Sequence, residues 1–250
     1  MNEKPIVLDL FCGLGGWSEV FIAEGYRAVG FDIEAHNYGD GGYPGELVLR
    51  DVRSICGADL VKQYGVPAVI VCSPPCQEFS YMAMPWSKAK QKQARIEADP
   101  AERVRLTDLF KQCFRIQREV SEAAGHYIPL IVENVCGAQR WVGKARWHFG
   151  SFYLWGDVPA LMPIPGKAFF RPTNNPRPKL GLSPGQQVEG SKGFRKNSRF
   201  NRATGKVIAG GIGDASDYSS KSSARKRASA EIAKIPPTLA AWIARTFRPK

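Results

Sequence analysis

The chain is 250 residues long, 44% hydrophobic and 23% charged, with a formal net charge of +12. That composition suits a soluble globular protein with one sizeable core, and no window approaches the ~18 unbroken apolar residues of a membrane span. The positive charge is uneven: residues 1–150 hold 17 Lys+Arg against 18 Asp+Glu, a balance of −1, whereas residues 151–250 hold 18 against 5, a balance of +13. A near-neutral body joined to a basic lobe predicts contact with a polyanion. The polar start, Met1–Pro5, predicts no signal peptide, so the expected location is cytoplasmic. Six cysteines lie in the first 136 residues without metal-ligand or disulfide spacing, which predicts reduced thiols and no metal site.

Taken in chain order, Pro5–Phe11 reads as a short apolar strand, followed by glycines and a helix over Gly16–Glu24. Arg27–Ile33 is a second strand and Glu46–Val52 a third. Ser54 is positioned to cap a helix running to Tyr64. Val66–Val71 is a near-continuous apolar run, the fourth strand. The polar stretch Ser87–Ala98, with Lys88, Lys90, Lys92 and Arg95, predicts a mobile loop. Asp99-Pro100-Ala101-Glu102 reads as a cap, a proline at the first helical position and an acidic third residue. The helix it opens carries Leu106, Leu109, Phe110, Cys113, Ile116 and Val120 on one face and stops near Gly125. Ile128–Val135 is the fifth strand. Strands alternating with helices in this way predict a parallel, doubly wound α/β sheet. From Pro163 the chain turns rich in proline, then in Lys, Arg, Gly, Ser and Asn. The organisation expected is therefore a catalytic domain over 1–160, a short irregular lobe over 161–210, and a segment over 211–250. Its closing helix, Thr238–Phe247, would pack back on the sheet.

Two features carry chemistry. The first is Asp9–Gly16, "DLFCGLGG", where glycines let backbone approach a ligand at a helix N-terminus. About 20 residues later, Phe31-Asp32-Ile33-Glu34 sets carboxylates at a strand end, where a doubly wound fold holds a cofactor ribose. The glycine spacing fits neither Gly-x-Gly-x-x-Gly nor a P-loop, which favours an adenosyl cofactor without a pyrophosphate. The second feature is Pro74-Pro75-Cys76-Gln77, in which two prolines fix the backbone ahead of a thiol, as suits a nucleophile. Glu133-Asn134 ends the next clear strand and brings a carboxyl to the same sheet edge. A buried carboxyl there can stay protonated and polarise a ring nitrogen.

Phe11-x-Gly-x-Gly-Gly16, Phe31-Asp32-Ile33-Glu34, Pro74-Pro75-Cys76-Gln77 and Glu133-Asn134-Val135, in this order, resemble the DNA (cytosine-5)-methyltransferase family over about the first 156 residues. The resemblance implies a Rossmann-like, mostly parallel sheet of the class I methyltransferase kind with a small target-recognition lobe. It also implies S-adenosyl-L-methionine as cofactor and double-stranded DNA as partner, in a compact phage-type or stand-alone bacterial member acting as a monomer. Cys76 would add to carbon 6 of a flipped-out cytosine and Glu133 would assist at the ring nitrogen, with Asn134 and Arg146 beside them. Asp9, Phe11, Gly13, Leu14, Gly15, Gly16, Asp32, Ile33, Glu34, Asp51, Val52 and Pro74 would form the cofactor site. Ser80 to Arg95, with Ser80 and Lys88 on DNA, would be the loop that closes over the base. Lys192, Arg195, Lys196, Arg199 and Arg202 recur every three or four residues and would lie along phosphates.

The chain departs from the family pattern after Glu133. The family's Gln-x-Arg-x-Arg spacing is not kept, leaving Gln139-Arg140 and Arg146 as candidates. The late Gly-Asn-Ser box is missing, and Ala230-Glu231-Ile232 and Lys234-Ile235-Pro236 stand in its region. A tRNA-acting relative would keep the same Pro-Pro-Cys and Glu-Asn-Val. A non-catalytic DNA-binding relative would have no need of Cys76 or Glu133. A cysteine hydrolase is disfavoured because His36, His126 and His148 form no recognisable pair with Cys76.

Overall fold

Five short apolar runs make the parallel part of the sheet: β1 (Ile6–Leu10), β2 (Arg27–Asp32), β3 (Glu46–Leu49), β4 (Val69–Cys72) and β5 (Leu130–Asn134). The computed structural model describes residues 3–36, 42–80, 86–163, 200–201, 206–207 and 233–249. A hairpin of β6 (Trp147–Phe149) and β7 (Phe152–Gly156) completes a seven-stranded mixed sheet, order β3-β2-β1-β4-β5-β7-β6. β7 pairs antiparallel with both β5 and β6. The strand order reverses between β1 and β4, the crevice where doubly wound sheets bind ligands at their carboxyl ends. The fold is thus the Rossmann-like α/β sheet that the sequence predicts.

Alternation along the strands divides the core. Leu8, Leu10, Ile70, Cys72 and Val132 turn to the face covered by α2 (Gly57–Tyr64) and α4 (Pro100–Ala124), where Phe110, Cys113, Ile116 and Val120 are buried. Asp9 lies on the other face, where Ser18 of α1 (Gly16–Ala23) donates to it. The C-terminal helix, Pro237–Thr246, packs against α1 and buries Leu239, Ala240, Ile243 and Ala244.

Two expectations change. The stretch expected to be a mobile loop contains a helix, α3 (Trp86–Ala98). Its Lys, Gln, Ala and Arg residues are good helix formers, and Ala89 and Ile96, seven residues apart, turn to one buried stripe. Lys88 therefore lies exposed on a helix, and residues 81–85 fall outside the described residues. Ser54 caps nothing. It ends a 3-10 turn that Asp51 opens by accepting from Arg53 N, and α2 begins only at Gly57. The expected cap on α4 is present: Asp99 accepts from Ala101 N, Pro100 opens the helix, and Gly125 closes it in the left-handed region.

The chain divides into two compact units. One comprises Met1–His36, Gly41–Pro165 and Lys234–Lys250, and holds the sheet. The other comprises Asn37–Asp40 and Gly166–Ala233, in which the described residues form a two-stranded antiparallel pair, β8 (Phe200–Asn201) and β9 (Lys206–Val207). Lys192, Arg195, Lys196, Arg199 and Arg202 lie outside the described residues. No described helix is long and apolar enough to cross a membrane.

The β2–β3 connection is pinned where Tyr43 fills the space over Gly30. A Cβ built on Gly30 would stand 2.2 Å from the Tyr43 hydroxyl and 2.8 Å from Cys12 Sγ. Gly30→Ala should therefore destabilise the fold by about 1–3 kcal/mol, the scale of core overpacking. Urea unfolding of the variant measures it.

Candidate active site

The carboxyl ends of β1, β2, β4 and β5 share one edge of the sheet, and each leads into a segment with chemical potential. After β1 the chain turns through Phe11 and Gly13, at φ of 59° and 51°, and Gly15, at 76°, before α1 begins. Phe11 is the one described non-glycine residue in the left-handed region, a strained placement that points to a constrained turn. Gly13 N donates to Asp32 Oδ2 at 2.9 Å, so the carboxylate ending β2 holds the glycine turn. Nothing stands within 4 Å of where a Gly13 side chain would begin. Leu14 is half-buried, and Gly15 and Gly16 are buried. Ile235 N comes within 2.8 Å of a Cβ built on Gly16, so Lys234-Ile235 seats on the same turn.

Beside this turn Ile33 is 73% exposed between two carboxylates, unusual for an isoleucine at a strand end. His36 lies 3.4 Å from Asp32 Oδ2 and 3.4 Å from Glu34 Oε1. Asp51 is engaged with Arg53, and Val52 is buried beneath it. Asp9 is fully buried below the turn. One of its oxygens accepts from Ser18 at 2.6 Å, and the other has no partner among the described residues. Burial is the main cause that pushes its pKa up to about 7.

The second half of the site is built from β4 and β5. These pair in parallel with Cys72 beside Val132, so the next residues, Ser73 just past β4 and Glu133 within β5, stand level. Asn134 is buried, and its side chain donates to the Pro74 carbonyl at 2.9 Å while accepting from Val135 N. That clamp fixes the Pro74–Cys76 segment, whose prolines have no N–H to donate. Beyond Cys76 the chain turns, with Phe79 N and Ser80 N both donating to the Cys76 carbonyl. Arg105 forks onto both oxygens of Glu78 at 2.9 Å, and Lys92 donates to the Glu78 carbonyl at 2.8 Å.

Glu133 is 9% exposed, and burial raises its pKa to about 8, opposed by a hydrogen bond from Ser73. At neutral pH it therefore carries a proton. Burial also raises the pKa of the Cys76 thiol, with a second contribution from charge on Glu133. While Glu133 is protonated that second contribution is absent, and desolvation alone keeps the thiol neutral. Glu133 pairs with Leu154 of β7, whose carbonyl accepts from Arg146 N, so Arg146 starts the hairpin one strand away with an exposed side chain. Among the described residues no cluster of His, Cys, Asp or Glu is fit to hold a metal ion.

The structure thus brings Cys76, Glu133, Asn134 and Pro74 to one edge, with Asp32, Ile33, Glu34 and the glycine turn along it. Three residues at this edge were not singled out from the sequence. Trp17 donates through its indole N–H to Ser73 Oγ at 3.1 Å, and the Tyr43 hydroxyl meets Ser18 Oγ. Ser73, directly ahead of the two prolines, stands level with Glu133 one residue past the paired Cys72 and Val132. Only its position beside the Pro-Pro-Cys run signalled it.

No protein-family model matches the chain. A curated relative, the type II methyltransferase M.AplI of Arthrospira platensis, is 32% identical over 87 residues. That match spans 32% of this chain and only 22% of the relative. Among solved structures, the Entamoeba histolytica methyltransferase EhMeth matches at 18% identity, covering 57% of this chain and 41% of that one, with a TM-score of 0.37. The S. pombe Dnmt2 methyltransferase matches at 14% identity, covering 56% and 37%, with a TM-score of 0.36.

The pH dependence of stability follows from the two buried acids. Below about 4.5 Glu133 is protonated in both folded and unfolded chains. Between about 4.5 and 8 the unfolded chain releases a proton that the folded chain keeps, so stability falls with rising pH and levels off above about 8. Asp9 adds a fall of the same sign between about 3.8 and 7. Glu133→Gln should flatten the loss between pH 5 and 8 by a few kcal/mol, at about 1.4 kcal/mol per pH unit. Urea midpoints of both proteins across that range would reveal it, and parallel curves would mean Glu133 ionises normally.

Proposed function

We propose that the chain is an S-adenosyl-L-methionine-dependent methyltransferase that modifies carbon 5 of cytosine in double-stranded DNA. The observation that carries this reading is the pairing of Cys76 with a buried, neutral Glu133 on the sheet edge that holds the glycine turn. A protonated carboxyl can donate to a ring nitrogen, which a carboxylate cannot. A nucleophilic thiol beside it can then add across the ring. The M.AplI match and the +13 balance of residues 151–250 add support for methyl transfer and for a polyanionic substrate.

The residues present fit the cofactor. The open space at Gly13, the exposed Ile33 and the carboxylates of Asp32 and Glu34 make a cradle for a nucleoside, with Phe11 at its start. When bound, S-adenosyl-L-methionine supplies an electrophilic methyl group. Glu133 donates to the cytosine ring nitrogen, which makes carbon 6 electrophilic. The Cys76 sulfur bonds to carbon 6 and its proton leaves to solvent, placing electron density on carbon 5. After carbon 5 is methylated, a base removes its proton and the Cys76 sulfur departs, restoring the ring. Access to both faces of the ring requires the base to leave the duplex. Ser80, four residues past Cys76, and Lys88, exposed on α3, would contact the duplex. Lys192, Arg195, Lys196, Arg199 and Arg202 supply phosphate contacts that hold the duplex without reading its sequence.

Duplex DNA carrying 5-fluorocytosine tests the chemistry, because fluorine at carbon 5 prevents the final elimination. The wild-type protein with cofactor should form a denaturation-resistant adduct, and Cys76→Ser should form none. Adduct formation on tRNA but not on the duplex would move the substrate to RNA. Survival of the adduct in the serine variant would remove Cys76 from the mechanism.

The cofactor assignment has its own measurement. Glu34 is exposed at the end of the cradle, and its replacement by alanine should weaken S-adenosyl-L-methionine by about 1–3 kcal/mol, as for a hydrogen bond to a charged group. Calorimetry showing equal affinity would move the ribose away from Glu34.

A further inference from the structure

The segment that carries Cys76 is anchored on both sides of the thiol. Upstream, the Asn134 side chain donates to the Pro74 carbonyl at 2.9 Å. Downstream, Glu78 is held at its carboxylate and at its backbone. Arg105 of α4 donates through Nη1 to Oε1 and through Nη2 to Oε2, each at 2.9 Å, and Lys92 of α3 donates to the Glu78 carbonyl at 2.8 Å. The next residue, Phe79, is 2% exposed, and its N–H and that of Ser80 both donate to the Cys76 carbonyl. Only Gln77 separates Glu78 from Cys76. Displacing Glu78 therefore moves the backbone that presents the thiol.

The fork belongs to a small network. Arg105 also reaches Glu102 at 3.2 Å, and Arg95 of α3 lies 3.8 Å from the other oxygen of Glu102. The Arg105 guanidinium holds the Glu78 carboxyl below its usual range. Both side chains of the fork are about half exposed, and a pair so placed adds little to global stability. A planar fork does something else: two parallel N–H···O bonds fix the orientation of both groups, as a single point contact does not.

We infer that Glu78 and Arg105 are positioning residues for Cys76, fixing the downstream end of its turn against α3 and α4 as the Asn134 clamp fixes the upstream end. The catalytic meaning of this mount rests on the reading of Cys76 as a nucleophile, but the mount itself is a property of the folded protein. A sulfur held from both sides has its direction set before a substrate ring arrives, so little orientational freedom remains to be lost at the moment of attack. Glu78 acts only through the backbone it shares with Cys76.

Alkylation of the thiols by iodoacetamide, followed cysteine by cysteine with mass spectrometry, reads the mount without cofactor or DNA. Glu78→Ala and Arg105→Ala should each raise the Cys76 rate by about three- to tenfold, the scale on which a forked ion pair shifts a local opening. The double variant should be no faster than either single one, because the two side chains act as a unit. Arg105→Lys, which keeps the charge and loses the fork, should stay close to Arg105→Ala. The exposed Cys56 should keep its rate in every variant, and urea midpoints should stay near wild type. In trapping on fluorocytosine duplex, Glu78→Ala should slow adduct formation at saturating DNA by about tenfold and leave the half-saturating DNA concentration unchanged. A Cys76 rate unmoved in both single variants overturns the mount, as does a rise that adds fully in the double variant or extends equally to Cys56. Variants that alkylate as stated in a protein that traps no duplex keep the mount and lose the proposed function. Trapping by the wild type with unmoved alkylation does the reverse.

Discussion

The desolvation of Glu133 is the constraint on which the rest of the proposed catalytic edge depends. A carboxylate in its place would repel the Cys76 thiolate and offer a substrate nitrogen nothing but lone pairs. Burial under Leu154 and the Pro74–Cys76 segment removes that charge at neutral pH, and it does so at a cost to stability whenever the unfolded chain would ionise. The clamp from Asn134 to the Pro74 carbonyl is what keeps the cover in place, so the residue beside Glu133 in sequence maintains its environment. Asp9 presents the same physics below the glycine turn. There a buried acid is stabilised by Ser18 on one oxygen and left bare on the other.

How much of this was legible in the sequence depended on whether the signal was local. The apolar runs of β1, β4 and β5, and the Asp99-Pro100 start of α4, are local patterns. The structure forms β1 and β5 within a residue or two of the expected bounds, while β4 begins three residues later than the run, at Val69. Cys76 and Glu133 were legible because each follows an apolar run that could only be a strand ending at the same edge. The helix over 86–98 was hidden because its polar surface outweighs a buried stripe reduced to Ala89 and Ile96. Its Lys92 also donates to the Glu78 carbonyl, a contact that no spacing rule exposes. Trp17 and Ser73 were invisible for the same reason: they are 56 positions apart, and only the level ends of β1 and β4 bring them together. Tyr43 fills the space that Gly30 leaves, a pairing of large with small that reads as an ordinary loop tyrosine until the two are seen in contact.

The charge pattern and the site geometry bear on different parts of the proposed function. Cys76, Glu133 and the glycine turn lie in the unit with a near-neutral sequence, where a concentrated field would disturb the protonation states the chemistry needs. The cations that would hold a polyanion are concentrated in residues 151–250, mostly outside that unit.

The shared register of three parallel strands has a further consequence. Leu10, Cys72 and Val132 stand side by side, so Ser73 and Glu133 each emerge one residue past the same row. Because side chains alternate between faces, inserting or deleting a single residue in β4 or β5 would turn one of the pair to the α4 face while the other stayed put. The connections tell a different story, since β4 and β5 are joined through α3 and α4 by a path whose length does not set the row. Changes of length are therefore better borne in the connecting turns, outside the buried stripes of α3 and α4, than in the strands. Within each central strand a single-residue change would turn one of the pair away from the edge.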